Sequence, residues 1–274
     1  MGEEVTVFDE NERLIWAGRA HAYADTFARL CAHPVPVLLD AAAVGDGVRV
    51  LDVGTGPGAA AAAACARGAK VTAVDAEPSM VRLAAQSVPK ADVRLAALPD
   101  LPFADGEFDA VVANFVLNHV GRPRAAVAEL RRITRASGRV ALTIWAAPPA
   151  AGQTLIGRAM EAAGVTRPDH LPALDPLEDF PRTPDGLAEL LRAADLREVH
   201  CELLTWNHTA TAEDWWAGPA SGVACIGHLL TSQPPYVIAE AKRHYDLLSG
   251  EFAGSDGMLS LPHAALLAHG RMAS

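Results

Sequence analysis

The sequence predicts an α/β fold built on a mostly parallel sheet, and three observations support this prediction. Short apolar runs, which are typical of buried strands, alternate with segments of helical periodicity between residues 48 and 146. Strands separated by helices pair in parallel, because right-handed crossovers return the chain to the same edge of the sheet. The chain of 274 residues is 50% hydrophobic, which is enough to bury a large core.

Helices are expected before the sheet. Residues 9–31 repeat apolar side chains at steps of three and four, which predicts one amphipathic helix with Asp9 as its cap. A shorter helix is expected over residues 35–43, followed by a turn at Gly45 and Gly47.

The periodic pattern places the remaining elements in two groups. The first group consists of strands at 48–53, 70–75, 92–96, 108–114 and 138–146, with a helix over 122–136. After a break at Pro148 and Pro149, the second group consists of helices at 151–163, 183–194 and 235–250, and strands at 196–206 and 264–273.

A glycine-rich turn follows the first expected strand in the block VLDVGTGPG at residues 50–58. Glycine allows the backbone to approach a ligand, and the N–H groups of the helix that starts next point to the same place. Such a loop holds a nucleotide-like cofactor at the carboxyl end of a parallel strand. With Ala59 it also fits the fingerprint G-x-G-x-x-G/A, so NAD is an alternative, whereas the absence of Gly-Lys-Ser/Thr excludes a P-loop.

Acidic and polar side chains end the next strands. Asp75 follows the glycine loop by about 20 residues, where an acid binds ribose hydroxyls, although Asp is also a common helix N-cap. The fourth expected strand ends at Asn114, and Asn118 and His119 lie just beyond it.

Four blocks of the chain resemble the class I S-adenosylmethionine (SAM)-dependent methyltransferases, in the branch related to ubiquinone and menaquinone biosynthesis enzymes. They are VLDVGTGPG, VDAEPSMV, LPFADGEFDAVVANFVLNHV and RRITRASGRVALTIW, within residues 48–146. The resemblance implies a Rossmann-like sheet of seven strands, mostly parallel with the last strand antiparallel, together with N-terminal helices and helical lid insertions.

The resemblance also divides the chain into three parts. Residues 1–46 would form an N-terminal helical cap, and residues 47–146 the SAM-binding core. Residues 147–274 would complete the sheet with about 183–206 and 264–273, and would carry substrate-lid insertions at about 150–182 and 211–262.

The resemblance assigns cofactor contacts residue by residue. The loop glycines would line the methionine portion of SAM, Asp52 would orient the loop and help to hold the ammonium group, and Asp75 would bind the ribose diol. Where relatives often carry an Asp for the adenine amino group, this chain has Ala97, so we expect weaker or less selective SAM binding. The complete expected set is Tyr23, Asp52, Gly54, Thr55, Gly56, Gly58, Asp75, Ala76, Met80, Ala97, Leu98 and Asn114.

Methyl transfer from a sulfonium needs mainly alignment and exclusion of water, with a base only where the nucleophile loses a proton. His119 is the candidate base because it follows the fourth strand at the cofactor edge, although it can equally hold a loop. The weaker base candidates are His170, His208 and His228. The residues expected near the acceptor or in its lid are Trp16, Asn118, Trp215 and Trp216, with core packing as the alternative role of the tryptophans.

Composition limits the partners. A formal net charge of −10 argues against a nucleic-acid substrate, so we expect a small molecule. The four cysteines form no C-x-x-C pair, and the acidic cluster at 175–179 is interpreted as an exposed loop, so no metal is expected. An acidic start, scattered cysteines and no apolar run of transmembrane length favour a cytoplasmic protein, monomeric or homodimeric, with no membrane partner.

The leading hypothesis is therefore a methyltransferase that converts SAM to S-adenosylhomocysteine and methylates a small, apolar or aromatic metabolite by in-line displacement. The Ala-rich composition, with Arg favoured over Lys, suggests a bacterial secondary-metabolite role. One alternative is an NAD-dependent oxidoreductase. Another keeps SAM binding but makes the chain a cyclase, a decarboxylase or a binding partner.

Overall fold

Short helices precede the sheet in the computed structural model, which describes residues 5–168 and 171–273. They are Val7–Trp16 (α1), Ala20–Asp25 (α2), Ala28–Cys31 (α3) and Val35–Ala41 (α4). The single helix expected over 9–31 is thus three helices, because Gly18 adopts a left-handed φ of +71° that ends the first one. Thr6 caps α1 and Asp9 completes the capping box from inside the helix, so Asp9 is not the N-cap.

The next part of the chain alternates strands and helices as expected. The strands are Arg49–Val53 (β1), Lys70–Asp75 (β2), Asp92–Leu95 (β3), Phe108–Asn114 (β4) and Thr134–Trp145 (β5). The helices between them are Ala59–Ala66 (α5), Pro78–Ser87 (α6) and Pro123–Ile133 (α7). The helix expected to reach residue 136 ends at Ile133, because Thr134 is already extended, with φ −88° and ψ 129°.

The last part adds two strands and five helices among the described residues. They are Ala151–Ala162 (α8), Pro184–Ala193 (α9), Arg197–Ala210 (β6), Ala212–Ala220 (α10), Ala224–Thr231 (α11), Pro235–Ser249 (α12) and Leu259–Arg271 (β7). The expected strand at 264–273 therefore begins earlier and includes Pro262. β5 ends opposite Ala265, so β6 is the single neighbour at Pro262, and a strand tolerates proline there.

The sheet contains seven strands in the order β3-β2-β1-β4-β5-β7-β6. Neighbouring strands from β1 to β5 are parallel, whereas β7 runs antiparallel to both β5 and β6. The predicted Rossmann-like fold is confirmed. The chain order reverses between β1 and β4, and open α/β sheets bind ligands beyond the carboxyl ends of the strands at that point.

Apolar packing covers both faces of the sheet and one of its ends. One buried cluster lies between the sheet and α7 and α9, and a second lies against α4 and α5. A third cluster joins α8, α10 and α12 to the ends of β6 and β7, and it contains Trp206, Trp215 and Trp216. This third cluster forms one side of the cavity described below. Within residues 5–168 and 171–273, no helix has the length and apolar character needed to cross a membrane.

Candidate functional site

A cavity of about 660 Å³ opens at the carboxyl ends of β1, β2 and β4. Helices α1 to α3 form one side of it, and residues of α8, α10 and β7 form the other. Twelve residues predicted from the sequence line its wall: Trp16, Tyr23, Gly54, Gly56, Asp75, Ala76, Met80, Ala97, Leu98, Asn114, His119 and Trp215. The described structure therefore brings most of the expected site together in one space.

The glycine loop is closely packed beneath this cavity. A Cβ atom at Gly56, whose φ is +54°, would lie 3.5 Å from Cε1 of Tyr23, which shows that the ring covers the loop. Gly58, with φ +98°, does not line the cavity, since a Cβ there would lie 2.7 Å from Cγ2 of Val88. Packing against α6 and a left-handed backbone are thus the observed reasons for glycine at position 58.

Asp52 and Thr55 lie behind the loop and do not line the cavity. Thr55 Oγ1 donates to Asp52 Oδ2 over 2.6 Å, and Asp52 is 1% exposed. Burial raises the pKa of the Asp52 carboxyl to about 7. The arrangement braces the loop from inside, which is the orienting part of the role expected for Asp52.

Asp75 holds the loop from the cavity side. Its Oδ2 accepts from Gly56 N over 2.8 Å, and its Oδ1 accepts from Glu77 N over 3.0 Å. Each carboxylate oxygen has a further lone pair, so the side chain can still accept from two hydroxyls. Helix α6 is capped by Glu77, which accepts from Ser79 N and Met80 N, so Asp75 is not the N-cap.

The side chain of Asn114 makes two hydrogen bonds within the protein. Its Nδ2 donates to the Cys31 carbonyl over 2.8 Å, and its Oδ1 accepts from Thr143 Oγ1 over 2.7 Å. It therefore ties α3 to the sheet at the cavity wall. Phe115 follows with a left-handed φ of +60°, and its ring stacks on Trp145 at 4.0 Å between centroids.

His119 is paired with a residue that the sequence did not indicate. Nδ1 of His119 lies 2.8 Å from Oε2 of Glu12 on α1, and Trp16 Nε1 donates to the same oxygen over 3.2 Å. The Trp16 ring stands edge-on to both His119 and Tyr23, at centroid distances of 5.2 and 5.3 Å. With Glu12 accepting at Nδ1, the second ring nitrogen keeps a lone pair.

Asn118 is turned away from the cavity. Its Nδ2 is buried and has no hydrogen-bond partner among the described residues. The acceptor-orienting role expected for Asn118 therefore has no support from its position.

The opposite end of the cavity is aromatic and contains His263, which the sequence had placed in or beside an insertion. Its Nδ1 lies 2.8 Å from the Leu261 carbonyl, and its ring centroid lies 5.4 Å from Trp215 and 6.1 Å from Trp145. Burial lowers the pKa of His263 to about 4. The alternation of Leu259, Leu261 and His263, all buried, is the signal that would have extended the strand to this residue.

The predicted tryptophan pair separates into two environments. Trp215 lines the cavity, whereas Trp216 packs in the core against Tyr245, with ring centroids 5.0 Å apart. Of the weaker base candidates, His208 lies behind Trp215 at a centroid distance of 5.4 Å, and His228 is not part of the wall. His170 lies outside the described residues.

The acidic segment near the end of the 164–182 region makes local contacts. Asp179 pairs with Arg182 over 2.6 Å. In the part of the chain that the structure describes, no group of three or more His, Cys, Asp or Glu side chains is arranged to hold a metal ion.

Comparisons with known proteins agree with this geometry. The family described as "Methyltransferase domain" matches residues 51–142. Demethylmenaquinone methyltransferase of Renibacterium salmoninarum is 33% identical over 112 residues, which is 41% of this chain and 47% of that protein. The chain thus spans about half the length of that curated relative.

Two further similarities cover more of the molecules. Demethylmenaquinone methyltransferase of Beutenbergia cavernae is 34% identical over 178 residues, covering 61% of this chain and 73% of that protein. Phosphoethanolamine N-methyltransferase 2 of Haemonchus contortus, solved with phosphomonomethylethanolamine and S-adenosylhomocysteine, has a TM-score of 0.59 at 13% identity, covering 98% of this chain and 61% of that one. Its likeness concerns the fold alone.

The matched residues 51–142 include the glycine loop after β1 and Asp75 at the end of β2. SAM is accordingly the cofactor expected for this site. The chain belongs to the class I SAM-dependent methyltransferases, in the branch similar to the ubiquinone and menaquinone methyltransferases.

Proposed function

We propose that the protein transfers the methyl group of SAM to a small, apolar or aromatic metabolite. One observation carries this proposal: the donor-side residues Gly56 and Asp75 and the aromatic residues Trp145 and Trp215 line one continuous cavity. A donor and an acceptor held in the same enclosed space meet the main requirement of an in-line displacement.

The donor side fits SAM in shape and in charge. The loop at Gly54 and Gly56 would hold the methionine portion, and the free lone pairs of Asp75 would accept from the ribose hydroxyls. Ala76, Met80 and the backbone of Leu98 would pack around adenine, since they line the same wall. When bound, SAM supplies an electrophilic methyl group on a positively charged sulfur.

His119 would act as the general base where the acceptor must lose a proton. Glu12 would hold the Nδ1 proton of His119, so that the other ring nitrogen can take the proton of the nucleophile. Glu12 is 8% exposed and would also stabilise the imidazolium that forms. His263 suits this task less well, because a pKa lowered to about 4 by burial means that its ring holds a captured proton only weakly.

Helices α8 and α10 to α12 would form the substrate lid proposed for the later part of the chain. They close the aromatic side of the cavity through Ile156, Trp215 and Ile226. The NAD-dependent oxidoreductase alternative is not retained, since the family of the chain uses SAM.

The test combines binding with transfer of a labelled methyl group. Calorimetry with S-adenosylhomocysteine measures the donor site, and tritiated-methyl SAM is then incubated with hydroxylated naphthalenes, phenols and reduced naphthoquinones. We expect label in at least one acceptor, and none with an Asp75→Ala variant that stays folded. Failure of the folded protein to bind S-adenosylhomocysteine would refute the donor site, whereas binding without transfer would favour a cyclase, a decarboxylase or a binding role.

A further inference from the structure

The aromatic end of the cavity carries polar groups that the donor does not use. We call this end the His263 pocket and define it by Phe27, Trp145, Gln153, Trp215 and His263, all of which line the cavity. A role for these residues in binding the methyl acceptor rests on the proposed function.

His263 offers one hydrogen-bond acceptor in a fixed direction. Its Nδ1 faces the Leu261 carbonyl at 2.8 Å, and a carbonyl can only accept, so the proton sits on Nδ1. Nε2 then carries a lone pair, and this lone pair has no hydrogen-bond donor among the described residues. With a pKa lowered to about 4, the ring is neutral at physiological pH and presents this lone pair permanently.

Gln153 offers a donor at the same place. Its Oε1 accepts from Ala150 N and Ala264 N, both over 2.9 Å, which fixes the orientation of the amide. The amide Nε2 donates to no described residue. Gln153 is thus anchored to β7 at the residue after His263, and both side chains line the cavity.

The remaining walls are flat and apolar. Trp145 is stacked on Phe115 at 4.0 Å, and Trp215 stands against Phe27 with ring centroids 5.3 Å apart. Trp215 Nε1 is buried without a partner among the described residues, so this ring presents its apolar carbon atoms to the cavity. No Lys or Arg of the described chain lines this end, so an anionic ligand would gain no charge partner.

We propose that the His263 pocket binds the methyl acceptor as a planar aromatic ring through a neutral hydroxyl group. That hydroxyl donates to His263 Nε2 and accepts from Gln153 Nε2, while the ring packs against Trp145 and Trp215. A hydroxyl oxygen provides both functions at one atom, which a methyl ether, a ketone or a carboxylate does not. His263 acts here as a positioning residue and takes no proton.

The experiment compares matched ligands on protein saturated with S-adenosylhomocysteine. Calorimetry measures the binding of 2-naphthol, 2-methoxynaphthalene and 2-naphthoate. We expect 2-naphthol to bind about tenfold tighter than its methyl ether, because the ether leaves the His263 acceptor unpaired, and 2-naphthoate to bind most weakly. Equal affinity of 2-naphthol and the ether for the wild-type protein overturns the proposal without any variant.

Two variants test whether His263 causes the preference for 2-naphthol. His263→Phe preserves the ring and removes the acceptor, so the preference for 2-naphthol should disappear while S-adenosylhomocysteine binds as before. His228→Phe, outside the cavity wall, should keep the preference, and a His263→Phe protein that keeps it refutes the assignment. Failure of the wild type to bind S-adenosylhomocysteine would count against the proposed function instead, and the three ligands are then compared on the protein alone, where the same preference for 2-naphthol supports the His263 pocket and its absence overturns it.

Discussion

A Cβ atom at Gly54 would lie only 2.5 Å from Cγ2 of Val116, so the loop after β1 and the segment after β4 touch without space for a methyl group. Gly54 also has a left-handed φ of +64°. Because Gly54 has no side chain, the two strand ends that border the donor site can pack directly against each other at this point.

Gly54→Ala should destabilise the protein by about 2–4 kcal/mol and weaken S-adenosylhomocysteine binding, because it adds an overpacking clash to the backbone strain. Chemical denaturation and calorimetry measure the two effects. Gly18→Ala is the matched control, since Gly18 has φ +71° with nothing within 4 Å of its Cβ position. Equal destabilisation by the two changes would contradict the packing argument, and Val116→Ala should partly rescue Gly54→Ala.

Asp75→Asn should weaken S-adenosylhomocysteine binding by about 10- to 100-fold, because an amide replaces one of the two oxygens that accept from the ribose. Asp92→Asn at the start of β3 is a control on the neighbouring strand, at an exposed position. Calorimetry measures the affinity of both variants for S-adenosylhomocysteine. An unchanged affinity in Asp75→Asn would remove Asp75 from the donor site.

Asp52 should make the stability of the protein fall as pH rises. The pKa of its carboxyl is raised from 3.8 to about 7 in the folded state, so the folded protein binds the extra proton between these values. Stability that is present near pH 4 is then lost as pH approaches 7, by up to about 4 kcal/mol. His263 acts in the opposite sense, since its pKa of about 4 removes stability as pH falls below 6.5.

The difference between wild type and Asp52→Asn isolates the carboxyl from His263. Asn keeps an oxygen that accepts from Thr55 and carries no titrating proton, so the stability of the variant relative to wild type should increase from pH 4.5 to pH 7.5. Urea denaturation across this range measures it. A constant difference would mean that Asp52 titrates at its ordinary pKa.

His119→Ala should lower kcat for methyl transfer by about 10²- to 10⁴-fold, the usual contribution of a general base, with little change in S-adenosylhomocysteine affinity. Glu12→Gln should give a smaller loss, because the amide can still contact the ring but supplies no charge. Single-turnover rates with the acceptor identified by methyl labelling measure both. A kcat in His119→Ala close to that of a His228→Ala control would leave the histidine as a loop-holding residue.

Much of the fold followed from local patterns. The strands ending at Val53 and Asp75 were predictable because parallel strands buried on both faces form continuous apolar runs, bounded here by glycine or proline. The predicted helix over residues 9–31 was wrong because the apolar spacing does not show where a helix ends. The apolar spacing continued across Gly18, but the left-handed backbone there ended the helix.

The site was predictable only where one segment of chain builds it. Gly54, Gly56 and Asp75 belong to short blocks with a recognisable order, whereas Glu12 meets His119 across a separation of 107 residues. A contact between residues so far apart in the sequence cannot be predicted from the spacing of residues along the chain. His263 was missed because Pro262 looked like the end of a loop, although the strand has a neighbour on one side only at that position.

The position of β7 in the sheet affects the order in which the two sides of the cavity form during synthesis. The strands β1, β2 and β4, whose ends surround the donor, leave the ribosome before β7, which fits between β5 and β6. Among the described strands β6 pairs only with β7, so it cannot join the sheet until the later strand arrives. The nascent chain should therefore acquire the donor side first, with His263 and the acceptor side joining last.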